Sequence, residues 1–279
     1  MSSTPFPSIL NRPTSGHTAP DRAGTVLTAR GLVKSYGSVH ALAGVDLEIG
    51  AGESVAVMGP SGSGKTTLLH VLSGIIAPDA GSVRRHGAQP VELTTLGEGE
   101  RARLRRERLS FVFQDGLLLP ELTAAENVAM PLMLRGVVRA EAQRVAASWL
   151  SALGLAGMEE RRPGELSGGQ RQRVAIARAQ AGEPDVVFAD EPTGALDSDT
   201  SAAVMDALID STVSRGRTLV VVTHDDDVAA RCGRLVRVRD GRILDDVRRP
   251  DSDAHLGTAR RSAARPTAAH PAAGEEAAR

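Results

Sequence analysis

The sequence predicts an α/β fold with a largely parallel β-sheet. Short apolar runs of strand length, at residues 54–58 and 218–223, are separated by segments of helical length. Continuous apolar runs are typical of strands that are covered on both faces, as in a parallel sheet. A glycine-rich loop at residues 59–64 joins the first of these strands to a predicted helix that begins at Lys65. This alternation of strands and helices is the basis of the predicted fold class.

The remaining elements follow from the same patterns. Alternating apolar and charged residues at 45–49 predict a half-buried strand. Apolar runs at 109–113 and 186–189 predict further buried strands, and residues 140–153 and 170–181 have the composition of helices. Residues 234–244 alternate around Asp240 and Gly241, which predicts a β-hairpin with its turn at that dipeptide.

The composition is that of a globular protein with one large domain or two small ones. The chain has 279 residues, of which 41% are apolar and 24% charged. Its net charge of −1 argues against a protein that binds nucleic acid mainly by bulk charge. A single cysteine, Cys232, excludes an internal disulfide and a cysteine-cluster zinc site. Lysine occurs only at Lys34 and Lys65, and tyrosine only at Tyr36.

Both ends of the chain lack the apolar periodicity of a folded core. Residues 1–24 are rich in Ser, Thr, Pro and Gly and are expected to form a disordered arm. Residues 248–279 are expected to form a disordered tail, which leaves 25–247 as the folded domain. No secretory signal is recognisable, and no stretch approaches the ~18–20 consecutive apolar residues of a membrane span. We therefore expect a cytoplasmic protein without direct membrane insertion.

The glycine-rich loop carries a phosphate-binding pattern. The pattern G-x-x-x-x-G-K-[ST] is matched by Gly59, Pro60, Ser61, Gly62, Ser63, Gly64, Lys65 and Thr66. Glycines let backbone N–H groups turn inward around phosphate oxygens, and the following helix N-terminus adds partial positive charge. Lys65 is expected to reach the β- and γ-phosphates of a nucleotide, and the Thr66 hydroxyl to hold Mg²⁺, with Thr67 beside them. The alternative is a glycine-rich turn without a ligand, which the strand-to-helix context disfavours.

A second motif lies in the C-terminal half of the chain and identifies the family. Leu166, Ser167, Gly168, Gly169 and Gln170 precede a basic helical segment. This segment resembles the LSGGQ signature of ATP-binding-cassette (ABC) ATPases and the helix that follows it. A serine and two glycines at a helix start also make an anion-binding terminus. Taken alone, the segment has an alternative, less favoured interpretation as a flexible loop that caps a basic helix.

The rest of the family pattern follows in order along the chain. Asp190 and Glu191, after the apolar run 186–189, resemble the end of the Walker B strand, which implies that Asp190 binds Mg²⁺ and Glu191 acts as general base. The alternative is a pair of carboxylates in an exposed loop. The resemblance implies four further roles: Gln114 as the Q-loop ligand of Mg²⁺, Asp197 in the D-loop, His224 as the switch histidine, and Tyr36 stacked on adenine.

The resemblance covers residues 26–244 and implies both architecture and assembly. It implies a P-loop NTPase with an ABC ATPase core, a mostly parallel sheet flanked by helices. An N-terminal antiparallel β-subdomain and an α-helical subdomain inserted at about 115–167 complete the fold. The implied active unit is a head-to-tail homodimer in which each ATP lies between one chain's phosphate loop and the other chain's Ser167–Gly169 segment.

Residues around Gln114 narrow the resemblance to one branch of the family. The features shared with the lipoprotein-release and macrolide-export branch are the segments 103–106, 111–114, 118–120, 122–123, 126–128, 131–132 and 191–197. Two departures stand in regions expected to contact a membrane subunit. Residues 115–117 lack the aromatic that often follows the glutamine, and Arg162 replaces an aromatic before Pro163.

The expected function is that of an ATPase subunit that drives a separate integral-membrane permease, for export or mechanotransmission. It would lie peripherally on the inner face of the membrane. A cell-division-type ATPase that regulates a membrane partner without transport uses the same motifs and stays open. A soluble cassette protein acting on nucleic acid or ribosomes is disfavoured, because long insertions and zinc cysteines are absent from the sequence. A sugar importer is also disfavoured, because the residues after the core lack an apolar pattern.

One basic stretch fits none of these motifs. Residues 101–108 hold five arginines and one glutamate, a net charge of +4. The stretch is expected to be a solvated helix face, and contact with anionic phospholipid headgroups is the alternative.

Overall fold

The computed structural model describes residues 24–249, which form two β-sheets with helices packed against them. The strands are β1 (Thr25–Tyr36), β2 (Val39–Gly50), β3 (Ser54–Met58), β4 (Ala80–Arg85), β5 (Val91–Glu92), β6 (Leu109–Val112), β7 (Val186–Asp190), β8 (Thr218–Val222), β9 (Arg234–Arg239) and β10 (Arg242–Arg248). The predicted N-terminal arm, apart from Gly24, and the predicted tail beyond Arg249 lie outside the described residues.

Helices connect and cover these strands. The α-helices are α1 (Lys65–Leu72), α2 (Glu98–Glu107), α3 (Ala124–Met133), α4 (Arg139–Ala152), α5 (Gly168–Ala181), α6 (Ser198–Thr212) and α7 (Asp226–Ala230). Short 3₁₀ turns occupy Leu93–Thr95, Pro163–Glu165 and Val213–Arg215. No helix among residues 24–249 is long and apolar enough to span a membrane.

The larger sheet has the order β10-β9-β3-β8-β7-β6, and its five strands from β9 to β6 are parallel. Every residue of β3 is buried, because the sheet is covered on both faces. Val55 and Val57 face one hydrophobic core, and Ala56 and Met58 face the other. The predicted α/β class with a mostly parallel sheet is confirmed, and its strands run continuously apolar for this reason.

The smaller sheet is antiparallel, with the order β2-β1-β4-β5. It shares a core with α1 and with one face of the parallel sheet, where Leu47, Leu68 and Phe188 are buried together. The antiparallel subdomain implied by the family resemblance is therefore present. Because β1 and β2 form one long hairpin, they carry Tyr36 and Ala41 toward the same end of the molecule.

Helices α3 to α7 cover the opposite face of the parallel sheet, and Trp149 on α4 is fully buried in that core. α3 begins with a capping box in which Thr123 Oγ1 accepts from the backbone of Glu126 and the Glu126 carboxylate accepts from the backbone of Thr123. The buried Asn127 side chain donates to three backbone carbonyls of the preceding loop and accepts from Leu119 N at 2.8 Å. This network fixes the loop before α3. The limits of the helical subdomain at about 115–167 stay a prediction.

Arg234 ties the C-terminal hairpin to the rest of the fold. Its buried guanidinium donates to both carboxylate oxygens of Asp246 at 2.7 Å, and also to Glu53 Oε1 at 2.7 Å and Glu48 O at 2.8 Å. The bidentate geometry orients the β9–β10 hairpin against β2 and the turn before β3. The hydrogen bond from Arg234 lowers the pKa of Asp246. The hairpin is therefore held by charge-assisted hydrogen bonds of Arg234 as well as by the antiparallel pairing of β9 with β10.

We expect Asp246→Asn to destabilise the protein in a pH-dependent way. The pKa of Asp246 is lower in the folded chain than in the unfolded chain, so its contribution is fully present above the unfolded value of about 4. It is lost as the pH falls through the folded value. The variant should lose about 1 kcal/mol at neutral pH, and the difference from the parent should shrink below about pH 4.

Urea unfolding at a series of pH values measures this difference. Glu160→Gln, at an exposed position in a loop, is the matched control and should track the parent. A destabilisation by Asp246→Asn that is constant from neutral to acidic pH would contradict the proposed ion pair.

Candidate functional site

The loop after β3 follows a path that only glycine permits at its last position. Gly64 has a φ of 101°, and a Cβ at this residue would lie 2.1 Å from the carbonyl oxygen of Ala41 on β2. No side chain larger than hydrogen fits so close to a backbone oxygen. Residues 59–64 are called the phosphate loop below. Its last residue, Gly64, therefore packs directly against β2 just before α1 begins.

The phosphate loop is also supported from the other side by the turn of the β9–β10 hairpin. Gly241 N donates to Ser63 O at 3.0 Å, and Ala43 N donates to Gly241 O at 2.9 Å. The loop is thus hydrogen-bonded to the hairpin turn, which in turn is hydrogen-bonded to β2. This scaffold holds backbone N–H groups at the N-terminus of α1, where the helix dipole favours an anion.

The first turn of α1 carries Lys65 and Thr66. The Lys65 ammonium is folded back over the loop and donates to Gly59 O at 2.8 Å and to Pro60 O at 3.0 Å. Lys65 is buried, Thr66 is exposed, and Thr67 is half-buried beside them. The predicted phosphate-binding residues are therefore brought together, with the cation at the centre of the loop.

Asp190 at the end of β7 faces this turn. Thr66 Oγ1 donates to Asp190 Oδ1 at 3.2 Å, although the two residues are 124 positions apart in sequence. Burial raises the pKa of Asp190, and the Thr66 hydrogen bond and the charges of His70 and Lys65 oppose that effect. A hydroxyl beside a desolvated carboxylate is a pair of hard oxygen donors. Such donors fit a magnesium ion, which usually takes only one or two protein ligands.

Glu191 and His224 form the next pair along the same edge of the sheet. Glu191 has a φ of 46°, a conformation that is costly for a non-glycine residue, and its N–H donates to Val222 O at 2.9 Å. His224, after β8, places Nδ1 2.9 Å from Glu191 Oε1. Because an ionised carboxylate can only accept, we assign the proton to Nδ1. The Glu191 side chain is 19% exposed and that of His224 is 71% exposed.

Gln114 lies beside the loop that carries Glu191. Its side-chain Nε2 is 3.0 Å from the position that a Cβ on Gly194 would occupy. α5 holds the residues on both sides of Gln114 by hydrogen bonds. Gln172 Nε2 donates to Phe113 O at 3.0 Å, and Arg178 donates to Gly116 O at 2.6 Å and to Leu117 O at 2.8 Å.

Sequence reasoning missed the roles of Gln172 and Arg178, because a contact between a helix and a distant loop leaves no local pattern. It also missed His70, which stands four residues after Thr66 on the same helix face. Burial lowers the pKa of His70, and the charge of Asp190 opposes this. The His70 ring lies 5.6 Å from that of Phe111.

The signature residues open α5. Ser167 Oγ accepts from Gln170 N at 3.3 Å, and Gln170 Oε1 accepts from Ser167 N at 2.9 Å. A Cβ on Gly169 would lie 2.4 Å from Thr200 Cγ2, so α5 begins close against α6. Asp197 caps α6 by accepting from Thr200 N at 3.0 Å.

Among residues 24–249, no hydrogen bond or ion pair joins residues 167–170 to residues 59–66. Tyr36 ends β1 and is 53% exposed, and the Lys34 ammonium lies 5.8 Å from its ring centroid. Tyr36 is thus accessible for stacking, and Lys34 is held by Asp79 at 2.8 Å.

A second surface feature is an apolar groove of about 570 Å³ between the parallel sheet and the helices on one face. Much of its apolar lining comes from β6 and the residue after it, the loop after Gln114, and α3 with the residue after it. The residues concerned are Phe111, Phe113, Leu117, Leu119, Met130, Pro131 and Leu134. Leu117 and Leu134 are more than half exposed, so the groove leaves apolar surface uncovered within the described part of the chain.

Comparison with known proteins gives one consistent result. The sequence model of the ABC transporter family matches residues 42–194. The lipoprotein-releasing system ATP-binding protein LolD of Geobacter metallireducens is 45% identical over 226 residues, which cover 80% of this chain and 99% of LolD. The macrolide export ATP-binding/permease protein MacB 1/2 of Paracoccus denitrificans is 47% identical over 228 residues, 80% of this chain and 33% of that protein.

The chain therefore spans about a third of the length of the curated ATP-binding/permease relatives that it matches. A solved structure agrees with the fold. The ATP-binding cassette MJ0796, described as a dimer in a post-hydrolysis state bound to ADP and Pi, superimposes with a TM-score of 0.73 at 37% identity. The match covers 80% of this chain and 98% of that one.

The crowding at Gly64 generates a test of the phosphate loop. We expect Gly64→Ala to weaken the binding of a fluorescent ATP analogue at least tenfold, because the new methyl group would collide with Ala41 O. Gly62→Ala is the matched control, since Gly62 also has a positive φ but has open space around it. Its binding should fall less, by the backbone strain alone. Equal losses for the two variants would show that the contact with Ala41 does not shape the site.

Proposed function

The chain belongs to the ABC transporter family and is an ATPase of that family, and from this premise we propose that it drives a membrane partner of the lipoprotein-release and macrolide-export type. The observation that carries the proposal is the convergence of three pairs at one edge of the parallel sheet. Lys65 lies over the phosphate loop, Thr66 contacts Asp190, and Glu191 contacts His224. Ligands of α/β proteins bind at this edge.

We propose that the phosphate loop, Lys65 and Thr67 bind the phosphates of ATP and that Tyr36 stacks on its adenine. The Lys65 ammonium would exchange its two loop carbonyls for phosphate oxygens. Thr66 and Asp190, with Gln114 nearby, would hold Mg²⁺, which neutralises the phosphate charge when bound. The half-buried Asp190 carboxylate would gain a compensating positive charge in that state.

Glu191 is the proposed general base. It would take a proton from the attacking water while that oxygen bonds to the γ-phosphorus and the bond to the β–γ bridging oxygen breaks. The hydrogen bond from His224 Nδ1 orients the carboxylate, and an imidazolium with both ring nitrogens protonated would also donate from Nε2 to a γ-phosphate oxygen. The strained backbone of Glu191 supports this role, because strain of this kind is concentrated at active sites.

The complete site requires a second copy of the chain. The capped start of α5, with Ser167, Gly168 and Gly169, has the form of an anion-binding terminus but is not joined to the phosphate loop of its own chain. In a head-to-tail homodimer it would contact the γ-phosphate of the partner's nucleotide, with Asp197 and Gln170 at the same interface. ATP binding would then close the dimer and hydrolysis would reopen it.

The membrane partner is proposed to dock in the apolar groove. The groove adjoins the loop after Gln114, so a segment held there would sense movement between the sheet and the helical layer. Relatives named ATP-binding/permease proteins contain about two-thirds of additional chain. The partner of this chain would supply an equivalent permease and hold the ATPase at the inner face of the membrane. Export and mechanotransmission both fit this arrangement.

We expect Glu191→Gln to retain ATP binding but to lower steady-state ATP hydrolysis by about 100-fold or more, since an amide cannot accept the proton. The ATP-bound dimer should become long-lived and visible by size-exclusion chromatography with ATP and Mg²⁺. Glu160→Gln, on an exposed loop, should behave as the parent. Turnover by Glu191→Gln at the parental rate would remove Glu191 as the base.

Lys65→Ala is expected to lower nucleotide affinity by tenfold or more, because the ammonium that faces the phosphates is lost. Arg30→Ala is the matched control, as Arg30 is an exposed cation that pairs with Glu48 on the surface. Its affinity should stay within about threefold of the parent. Isothermal titration with ATP and with ADP measures both. Parental affinity in Lys65→Ala would defeat the assignment of the phosphate loop.

A further inference from the structure

One carboxylate joins the end of β1 to the start of β4. Asp79 is the residue before β4, and its Oδ1 accepts from the Lys34 ammonium at 2.8 Å. Its Oδ2 accepts from the backbone N–H of Ser35 at 2.7 Å, and its own N–H donates to Val33 O at 2.8 Å. Asp79 therefore contacts three consecutive residues of β1 directly before Tyr36.

The Tyr36 ring is joined to these contacts through Lys34. The Lys34 ammonium lies over the ring, 5.8 Å from its centroid, which is within the range of a cation–π contact. The same ammonium is held by Asp79, and the Lys34 side chain is only 19% exposed. Tyr36 itself is more than half exposed. An ammonium whose own position is fixed can therefore restrict a ring that is largely open to solvent.

The hairpin end that carries Tyr36 has a second contact. Across the hairpin of β1 and β2, Ser35 pairs with His40 and Tyr36 pairs with Val39. The Ser35 hydroxyl and His40 Nδ1 are 2.9 Å apart, which is a hydrogen-bond distance. Ser35 is thus held through its backbone by Asp79 and through its side chain by His40, which fixes the direction of the chain at Tyr36.

The contacts of Asp79 are those of an ionised carboxylate. Hydrogen bonds from Lys34 and from the backbone of Ser35 lower the pKa of Asp79, so it carries a negative charge at neutral pH. An ion pair at the surface contributes little to global stability, because solvent screens it and the side chains lose entropy. The arrangement is therefore better suited to orienting the residue that follows than to stabilising the fold.

We propose that Asp79 is a positioning residue for the nucleotide base: through Lys34 and Ser35 it holds Tyr36 in the orientation that stacks on adenine. The proposal rests on the proposed function, in which Tyr36 is the stacking residue. A ring that is ordered before the nucleotide arrives loses less conformational entropy on binding, so the affinity is higher. Residues 59–79, which run from the phosphate loop through α1 to Asp79, would then contribute to both ends of the bound nucleotide.

A double-mutant cycle tests whether Asp79 acts through Tyr36. Isothermal titration with ATP and Mg²⁺ compares the parent, Asp79→Ala, Tyr36→Ala and the double variant. Tyr36→Ala should weaken binding about tenfold, the scale of one stacked base. Asp79→Ala should weaken it about fivefold, the scale of ordering one side chain. In the Tyr36→Ala background, Asp79→Ala should reduce the affinity by less than about 1.5-fold, because no ring remains to be positioned.

NMR reports the ring directly. Tyr36 is the only tyrosine of the sequence, so selective ¹³C labelling of tyrosine gives the signals of this one ring. Without nucleotide, ring relaxation in Asp79→Ala should show larger ps–ns motion than in the parent. Asp79→Asn keeps one oxygen acceptor and should lie between the two in ring motion and in ATP affinity.

Asp206→Ala is the matched control, since it removes another surface aspartate that pairs with an arginine. Asp206 on α6 pairs with Arg231, and its loss should leave both the ATP affinity and the motion of the Tyr36 ring unchanged. If thermal unfolding shows that Asp79→Ala is not folded, Asp79→Asn takes its place in the cycle, and its smaller loss of affinity must also vanish without the Tyr36 ring.

The outcomes separate this proposal from the function on which it rests. Parental ATP affinity or parental ring motion in Asp79→Ala overturns the positioning role, and so does an equal loss of affinity with and without the Tyr36 ring. In those cases Tyr36→Ala still binds ATP more weakly than the parent, and stacking stands. If Tyr36→Ala binds ATP as the parent does, stacking on adenine is itself wrong and the positioning role falls with it.

Discussion

The site depends on the parallel order of β3, β8 and β7. Parallel neighbours end at the same edge of the sheet, so residues that follow these strands meet although they are far apart in sequence. The hydrogen bond between Thr66 and Asp190 and the one between Glu191 and His224 both exist because of this alignment. An antiparallel neighbour in place of β8 would move His224 to the opposite edge.

The helices on one face connect this edge to the apolar groove. α5 begins at the signature residues. Further along, its Gln172 holds Phe113, just before Gln114, and its Arg178 holds the loop after Gln114. That loop forms one wall of the groove. A rigid helix therefore links the part of the surface that would contact a second nucleotide with the part that would contact the membrane partner. A conformational change on dimer closure could therefore be transmitted through α5 to the groove.

The two departures from the family pattern have different structural consequences. Gly116 and Leu117 both adopt positive φ values, 69° and 42°, and Arg178 accommodates the bend by donating to both carbonyls. The segment 115–117 is thus sharply bent and exposes Leu117. Arg162 is exposed, and its N–H donates to Glu165 at the 3₁₀ turn before the signature. Both changes alter the surface proposed to face the membrane partner.

The sequence by itself determined the buried strands of the parallel sheet, the C-terminal hairpin and the chemical types of the site residues. Apolar runs marked the buried strands, the Asp240–Gly241 turn marked the hairpin, and the glycine–lysine–threonine pattern marked the phosphate loop, because each of these signals is local. Only the tertiary structure decided which residues from distant parts of the sequence contact these strands, turns and loops. It docked the hairpin turn against Ser63 and brought Arg178 beneath the loop after Gln114. It also gathered Arg106 and Arg135 into one pocket. Contacts of this kind join residues that no local periodicity relates, so they arise only when the sheet and helices pack.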